Sequence, residues 1–179
     1  MHPRTAELLQ YLDAQREALR AVVERIPPGQ REQSPGPGRW SVAEVLEHLS
    51  RVEGSITRLF TVRLAEAREH GLGAETETTP VLPTLDLDRL VDRSYSVTAS
   101  EAARPQGGLD AGAAWAALEA ARQAFREAIL SGDGLALGEV VHPRPHPVFG
   151  VLNLYQWVAF VGGHEARHTA QIREIAAAM

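Results

Sequence analysis

Two histidines near the end of the chain, His164 and His168, are one helical turn apart. With a helical period they belong to one inward-facing stripe, whose other members are Trp157, Val161, Ile172 and Ile175. Imidazole is seldom buried in an apolar seam unless it has a polar partner. A metal ion is the simplest partner for two histidines at this spacing, and interior hydrogen bonds are the alternative.

A third histidine, His48, also lies beside the apolar face of a predicted helix, between Val45 and Val52. Helix bundles build metal sites from side chains on facing helices. We therefore predict that His48, His164 and His168 together bind a divalent metal ion. Three imidazoles leave at least one coordination position open, which is typical of catalytic rather than structural zinc sites.

The other four histidines are predicted to have no part in this site. His142 and His146 repeat the four-residue spacing, but the prolines between them exclude a helical face, and we assign both to a loop. His2, near one end of the sequence, and His70, at the end of a helix, are assigned to surface or capping roles.

The composition limits the chemistry that the chain can perform. Its 179 residues include no Cys, so any metal ligands are nitrogen or oxygen atoms, and thiolate nucleophiles and disulfides are excluded. The length fits a single domain over residues 1–179. The net charge of −5 argues against nucleic-acid binding. The first residues lack the apolar core of a signal peptide, and no apolar run is long enough to span a membrane, so we expect a soluble cytoplasmic protein.

Hydrophobic periodicity predicts four long helices and no strand that persists. The helices cover residues 5–26, from Ser41 as N-cap to about Glu69, about 111–131 with Asp110 as cap, and from 149–153 almost to Met179. Ser41 and Glu44 form a predicted capping box, which we prefer to a role for Glu44 beside the metal, and Trp40 should pack on Val45. Arg16 is predicted on the polar face of the first helix. The fold class is all-α, a four-helix bundle.

A long connection over residues 70–110 has turn signals throughout and is predicted to cross over between helices two and three. Residues 85–95 could hold a short helix, and Thr98 with Glu101 could form a second capping box. Later in the chain, Gly162 and Gly163 interrupt the histidine stripe. We expect this pair to allow close approach of another helix or of a substrate, or to permit a bend.

Three segments resemble the DinB-like (YfiT-like) metalloenzymes. Residues 40–49, WSVAEVLEHL, resemble the second-helix signature of that family. Residues 146–157 and 164–172 resemble its fourth-helix signature, and residues 97–101 and 105–109 fit its approach to helix three. The likeness spans nearly the whole chain.

The resemblance implies a four-helix bundle whose long crossover joins helices two and three. It implies a divalent metal, commonly zinc or nickel, held by residues matching His48, His164 and His168. Family members of known activity include thiol-dependent transferases and isomerases that use mycothiol, bacillithiol or glutathione. Others are described as metal-dependent hydrolases.

Our leading hypothesis from the sequence is that the protein transfers a low-molecular-weight thiol to small electrophiles, because an open metal site can lower the pKa of a bound thiol. The first alternative is hydrolysis by a water molecule that the metal activates. Hydrolysis usually needs a carboxylate base, and none is evident, since Glu165 points about 100° around the helix from His164. The second alternative is a non-enzymatic bundle that a metal stabilises.

Few other residues are assigned a role in function. Gln171 borders the histidine stripe and could contact a substrate or a ligand histidine, whereas Arg167 is expected at the surface or in an ion pair. We interpret Trp40, Trp115 and Trp157 as core anchors. The expected partner is a small-molecule substrate, without nucleic acid or membrane. A homodimer through a helix face is compatible with such a bundle.

Overall fold

Five helices organise the computed structural model, which describes residues 1–94 and 98–179. They are α1 Pro3–Glu24, α2 Val42–Glu69, α3 Leu87–Val91, α4 Ala111–Ser131 and α5 Leu154–Ala177. Across the described residues there is no strand, only isolated β-bridges. The four long helices lie within about two residues of the predicted ranges, so the all-α prediction is confirmed. None of the helices in the described ranges combines the length and apolar character needed to span a membrane.

Side-chain caps set where the long helices begin. In the predicted box before α2, Glu44 N–H donates to Ser41 Oγ at 3.2 Å and Ser41 N–H donates to Glu44 Oε2 at 2.8 Å. A second box, which the sequence analysis did not predict, joins Asn153 and Gln156 at the start of α5. The predicted cap Asp110 accepts from a backbone N–H of α4 at 2.7 Å. Each cap satisfies an N–H group that the first helical turn leaves unpaired.

Helices α1 and α5 are neighbours that run in the same direction. Tyr11 lies against Gly162, and Arg16 further along α1 pairs with Glu165 further along α5. Residue numbers in contact therefore increase together along α1 and α5, as they do in parallel helices.

Helices α2 and α4 form a second parallel pair. Glu53 pairs with Arg122, and Phe60 packs against Phe125 with ring centroids 6.1 Å apart. Because α2 and α4 are parallel, the chain must return along the full length of α2, about 42 Å, before α4 can begin. Residues 70–110 make this return, which confirms the predicted long crossover.

The crossover contains less helix than predicted. Its only α-helix in the described part is the five-residue α3, which lies inside the predicted 85–95, and Tyr95 is outside the described residues. The predicted capping box at Thr98 and Glu101 is wrong. A single 3-10 turn, Glu101–Ala103, stands there without a side-chain cap. Pro105 disfavours helical backbone at the residue before it, so the turn does not continue into an α-helix. Val97 also lies outside the described residues.

A charged layer divides the apolar core into two parts. Arg16, Glu53, Arg122 and Glu165 are buried, one from each long helix, at a position between the two apolar clusters. Arg16 donates to Glu165 at 2.7 Å and to Glu53 at 3.2 Å, and Arg122 donates to the same two carboxylates. We call these four residues the buried quartet. The placement of Arg16 on a polar face is therefore wrong, since its position falls in the core register of α1.

The glycine pair of α5 lies at a close contact between helices, which was one of the explanations predicted for it. A Cβ atom at residue 162 would collide with the ring of Tyr11 on α1, and one at residue 163 would collide with Leu90 on α3. Small residues here therefore let α1 and α3 approach the segment that leads into the histidines.

Replacing Gly162 with Ala is expected to destabilise the protein by up to about 2 kcal/mol, because overpacking costs about 1–3 kcal/mol and the gain in helix propensity offsets about 1 kcal/mol of it. Gly54→Ala on α2 is the control, since the nearest atom to its added Cβ lies 3.8 Å away. That variant should be stabilised by up to about 1 kcal/mol. Urea unfolding measures both, and equal stabilities would contradict the tight contact at Tyr11.

Candidate metal centre

Three histidine side chains converge where α2 faces α5. His48 comes from the second turn of α2, and His164 and His168 come from successive turns of α5. Nε2 of His164 lies 3.3 Å from Nε2 of His48 and 3.2 Å from Nε2 of His168. One ligand atom from each ring lies within 4.8 Å of the others, so the group could hold a metal ion.

The outer nitrogen atoms of two rings are held by protein carbonyl groups. His48 Nδ1 lies 2.7 Å from the carbonyl oxygen of Ala103, and His168 Nδ1 lies 2.6 Å from Gln171 Oε1. Each oxygen can only accept, so each Nδ1 carries the proton and each Nε2 presents a lone pair. Outer partners of this kind are characteristic of metal-binding histidines. Gln171 therefore contacts a candidate ligand histidine, which was one of the two roles predicted for it.

The surroundings keep all three imidazoles neutral. Burial lowers the pKa of His168 to about 3, and the nearby His48 adds to the shift. Burial also lowers the pKa of His48, against the hydrogen bond to Ala103, which raises it. The pKa of His164 is lowered well below its usual value, first by burial and then by the two other rings. Neutral imidazole is the form that binds metal, so the cluster needs little proton release to do so.

The donor set fits a divalent ion. Two nitrogen ligands at the usual 2.0–2.1 Å from a tetrahedral zinc ion are about 3.3–3.4 Å apart. The two shorter Nε2 separations, 3.2 and 3.3 Å, are close to that edge length. Without a cation, the Nε2 lone pairs of His48 and His168 would both face Nε2 of His164, which can carry at most one proton and so can donate to only one of them.

The histidines line a cavity of about 510 Å³. Its other walls include Trp40, Phe160 and residues of the crossover. The Trp40 ring lies 4.9 Å from the His48 ring and is only partly buried, so this residue belongs to the cavity as well as to the core. Trp157 is a buried core residue, as predicted. Trp115 packs against the core and under the guanidinium groups of α1.

His146 is a cavity residue that the sequence analysis assigned to a loop. It does lie in the loop before α5, but its ring forms part of the cavity wall, 4.6 Å from the ring of Phe160. Its Nδ1 accepts from the backbone N–H groups of Val148 and Phe149. The neutral ring therefore carries its proton on Nε2. The four-residue spacing from His142 gave no indication of this placement, because only the tertiary fold returns the loop to α5.

Arg167 is buried, so the expected surface position is wrong. Its guanidinium donates to the carbonyl oxygens of Leu90 and Asp92. These bonds tie α3 and the residues after it to α5, beside the cavity. The arginine thus fastens the crossover to the helix that carries two of the three histidines.

Glu165 is turned away from the cavity, as its angle on the helix predicted. It is buried in the quartet, where both arginines donate to it. A carboxylate that accepts hydrogen bonds from two guanidinium groups has its oxygen atoms already occupied. Glu165 is therefore not a candidate base for chemistry at the metal centre.

Comparison with known proteins identifies the family. The sequence profile of the DinB superfamily matches residues 11–172, which include all three converging histidines. The chain belongs to the DinB superfamily. A relative from Bacillus subtilis (strain 168), the uncharacterized protein YuaE, is 30% identical over 144 residues, which cover 80% of this chain and 81% of YuaE.

The fold is shared with a solved protein. TT2238, described as a four-helix bundle protein, superposes with a TM-score of 0.60 and 23% sequence identity. The match covers 95% of this chain and 98% of that one. The likeness shows a common four-helix-bundle fold, and the chemistry is argued from the residues of the site.

Proposed function

We propose that this protein is a metal-dependent enzyme that transfers a low-molecular-weight thiol to small electrophiles. The observation that carries the proposal is the cavity wall, where three histidine Nε2 atoms converge and no Asp or Glu occurs among the described lining residues. A site without a carboxylate base favours a nucleophile that ionises readily. A thiol, with a pKa of about 8.5, meets this requirement far better than water.

The side chains of the site would each have a separate task. His48, His164 and His168 would hold the ion, which when bound supplies positive charge that lowers the pKa of a nearby thiol. Ala103 and Gln171 fix the orientation of two of the rings.

The thiol must come from outside the chain, because the sequence contains no Cys. In the proposed reaction with a chlorinated aromatic, a carbon–sulfur bond forms and the carbon–chlorine bond breaks. Chloride leaves with the electron pair, and the thiol proton passes to solvent. The aromatic faces of Trp40 and Phe160 in the wall suit an electrophile with an apolar body.

Hydrolysis is the second candidate, and His146 is the observation that favours it. Burial lowers the pKa of this ring, so that it is neutral at pH 7. The Nε2–H of this ring could donate a hydrogen bond to an ester carbonyl oxygen and stabilise the negative charge that develops there when a metal-activated water attacks.

A panel of thiols and electrophiles tests the proposal. Mycothiol, bacillithiol and glutathione should be incubated with a chlorinated aromatic or an epoxide and the metal-loaded protein, and conjugates detected by mass spectrometry. We expect conjugate formation with at least one thiol, and its loss after chelation and in His164→Ala. No metal-dependent conjugate with any pair would overturn the proposal. Ester hydrolysis that depends on both the metal and His146 would then favour the second candidate.

A further inference from the structure

The cavity carries positive charge although the protein as a whole is acidic. Four arginines line it, namely Arg39, Arg93, Arg104 and Arg167, and its described lining includes no acidic residue. The chain has a net charge of −5, so the charge of the cavity lining is opposite in sign to that of the whole protein. A guanidinium group stays protonated at any physiological pH.

Two of the four arginines are already engaged. Arg93 makes a two-point ion pair with Glu174, with distances of 2.7 and 2.9 Å. Arg167 donates to the carbonyl oxygens of Leu90 and Asp92. These contacts explain both residues as parts of the scaffold that holds the crossover against α5.

Arg39 and Arg104 differ, because neither guanidinium has an ion-pair or hydrogen-bond partner within residues 1–94 and 98–179. Both side chains are exposed at the rim of the cavity. The two residues are far apart in the sequence. Arg39 lies in the loop before α2, and Arg104 lies in the crossover next to Ala103, whose carbonyl oxygen holds His48.

Two acidic groups that interact with the cavity arginines, Glu174 and Asp92, have hydrogen-bond partners of their own. Glu174 is bonded to Arg93, and the positive charges of Arg39 and Arg167 also help to lower its pKa. Asp92, which is exposed, accepts from Ser94 through its carboxylate. The described lining of the cavity thus contains four guanidinium groups and no carboxylate.

We propose that Arg39 and Arg104 bind an anionic group, a carboxylate or a phosphate, on the small molecule that enters the cavity. Guanidinium groups match the planar geometry of these oxyanions and bind them by charge-assisted hydrogen bonds. A positively charged rim also attracts anions from solution before they bind. The proposal rests on the proposed function only in taking this cavity as the substrate site. It adds that the thiol or the electrophile is an acid.

Calorimetric titration tests the proposal without turnover. Succinate and its neutral counterpart succinamide should be titrated into the metal-loaded protein, the Arg39→Gln/Arg104→Gln double variant and an Arg58→Gln control. Arg58 is exposed on α2 and is not part of the cavity lining, so its substitution removes the same kind of charge elsewhere. We expect succinate to bind the unmodified protein and the control at least about tenfold more tightly than succinamide, which corresponds to about 1.4 kcal/mol. The double variant should lose most of this preference.

Two results would overturn the proposal. One is an equal affinity for succinate and succinamide in the unmodified protein. The other is a preference that survives in the double variant, because the metal ion rather than the arginines would then be recognising the carboxylate. Inorganic phosphate titrated into the same proteins decides which oxyanion binds more tightly. These binding comparisons can be made even if the protein transfers no thiol. Conversely, if succinate shows no preference over succinamide, thiol transfer can still be measured with uncharged thiols.

Discussion

The His164→Ala variant is expected to lose stoichiometric binding of a divalent metal ion. Its Nε2 is the atom that lies within 3.3 Å of both other candidate ligand atoms. Changes to the outer partners of metal ligands already lower affinity by about 10–100-fold. Removal of a ligand itself should therefore cost more than about 100-fold. Titration of the metal-free protein with Zn²⁺ or Ni²⁺, followed by metal analysis after dialysis, measures the loss.

His146→Ala is the matched control, because this ring lies in the same cavity wall but outside the converging group. It should retain one metal ion per chain. A ligand present at about 100 times its Kd stabilises the native state by about 2.7 kcal/mol, so metal should raise the Tm of this control by about 5–10 °C. The same addition should leave the Tm of His164→Ala nearly unchanged. Unchanged metal content in His164→Ala would remove the basis for the proposed centre.

Replacing Arg122 with Met is expected to lower the free energy of unfolding by about 3–5 kcal/mol. The substitution keeps a long side chain in the core but leaves Glu53 and Glu165 with one buried cation between them instead of two. Breaking a buried ion pair by removing one partner exposes the protein to the full desolvation cost of the remaining charge. Urea unfolding at neutral pH gives the loss directly.

The control for this prediction is Arg126→Met, one turn further along α4. Arg126 pairs with Asp13, but both groups are accessible to solvent, so the pair should contribute at most about 1 kcal/mol. Low pH gives a second check. Burial raises the pKa of Glu53, so protonation of this carboxyl group as the pH falls should reduce the difference in stability between Arg122→Met and the unmodified protein. Equal stability of Arg122→Met and Arg126→Met at neutral pH would show that the ion pairs of the buried quartet contribute no more to stability than an exposed pair.

The quartet also bears on how the metal centre is held. Glu165 directly follows His164, and its two ion pairs, with Arg16 and Arg122, fix α5 to α1 and α4 at this level. Arg122 additionally donates to the carbonyl oxygen of Leu12 at 2.9 Å. A rigid layer next to the histidines limits rotation of α5, which would move two candidate ligands at once. Preorganised ligands of this kind are what a metal site needs.

Local features of the fold could be predicted from the sequence because they depend on residues close together in the chain. The capping box of Ser41 and Glu44 fixes the start of α2, and helical periodicity places His164 and His168 on one face of α5. His48 joins them through the same reasoning, since a bundle brings the inner faces of its helices together. The angle of Glu165 away from His164 follows from helix geometry alone.

The tertiary structure decided which distant residues share an environment. Periodicity placed Arg16 on a polar face, because a single charged residue in an apolar stripe is ambiguous until its partners on three other helices are known. Arg39, Arg104 and His146 lie in loops without any period, and the crossover and the return of the loop to α5 bring them to one cavity. The candidate ligands were therefore encoded locally, whereas the charge and shape of the cavity around them arise from contacts between segments far apart in sequence.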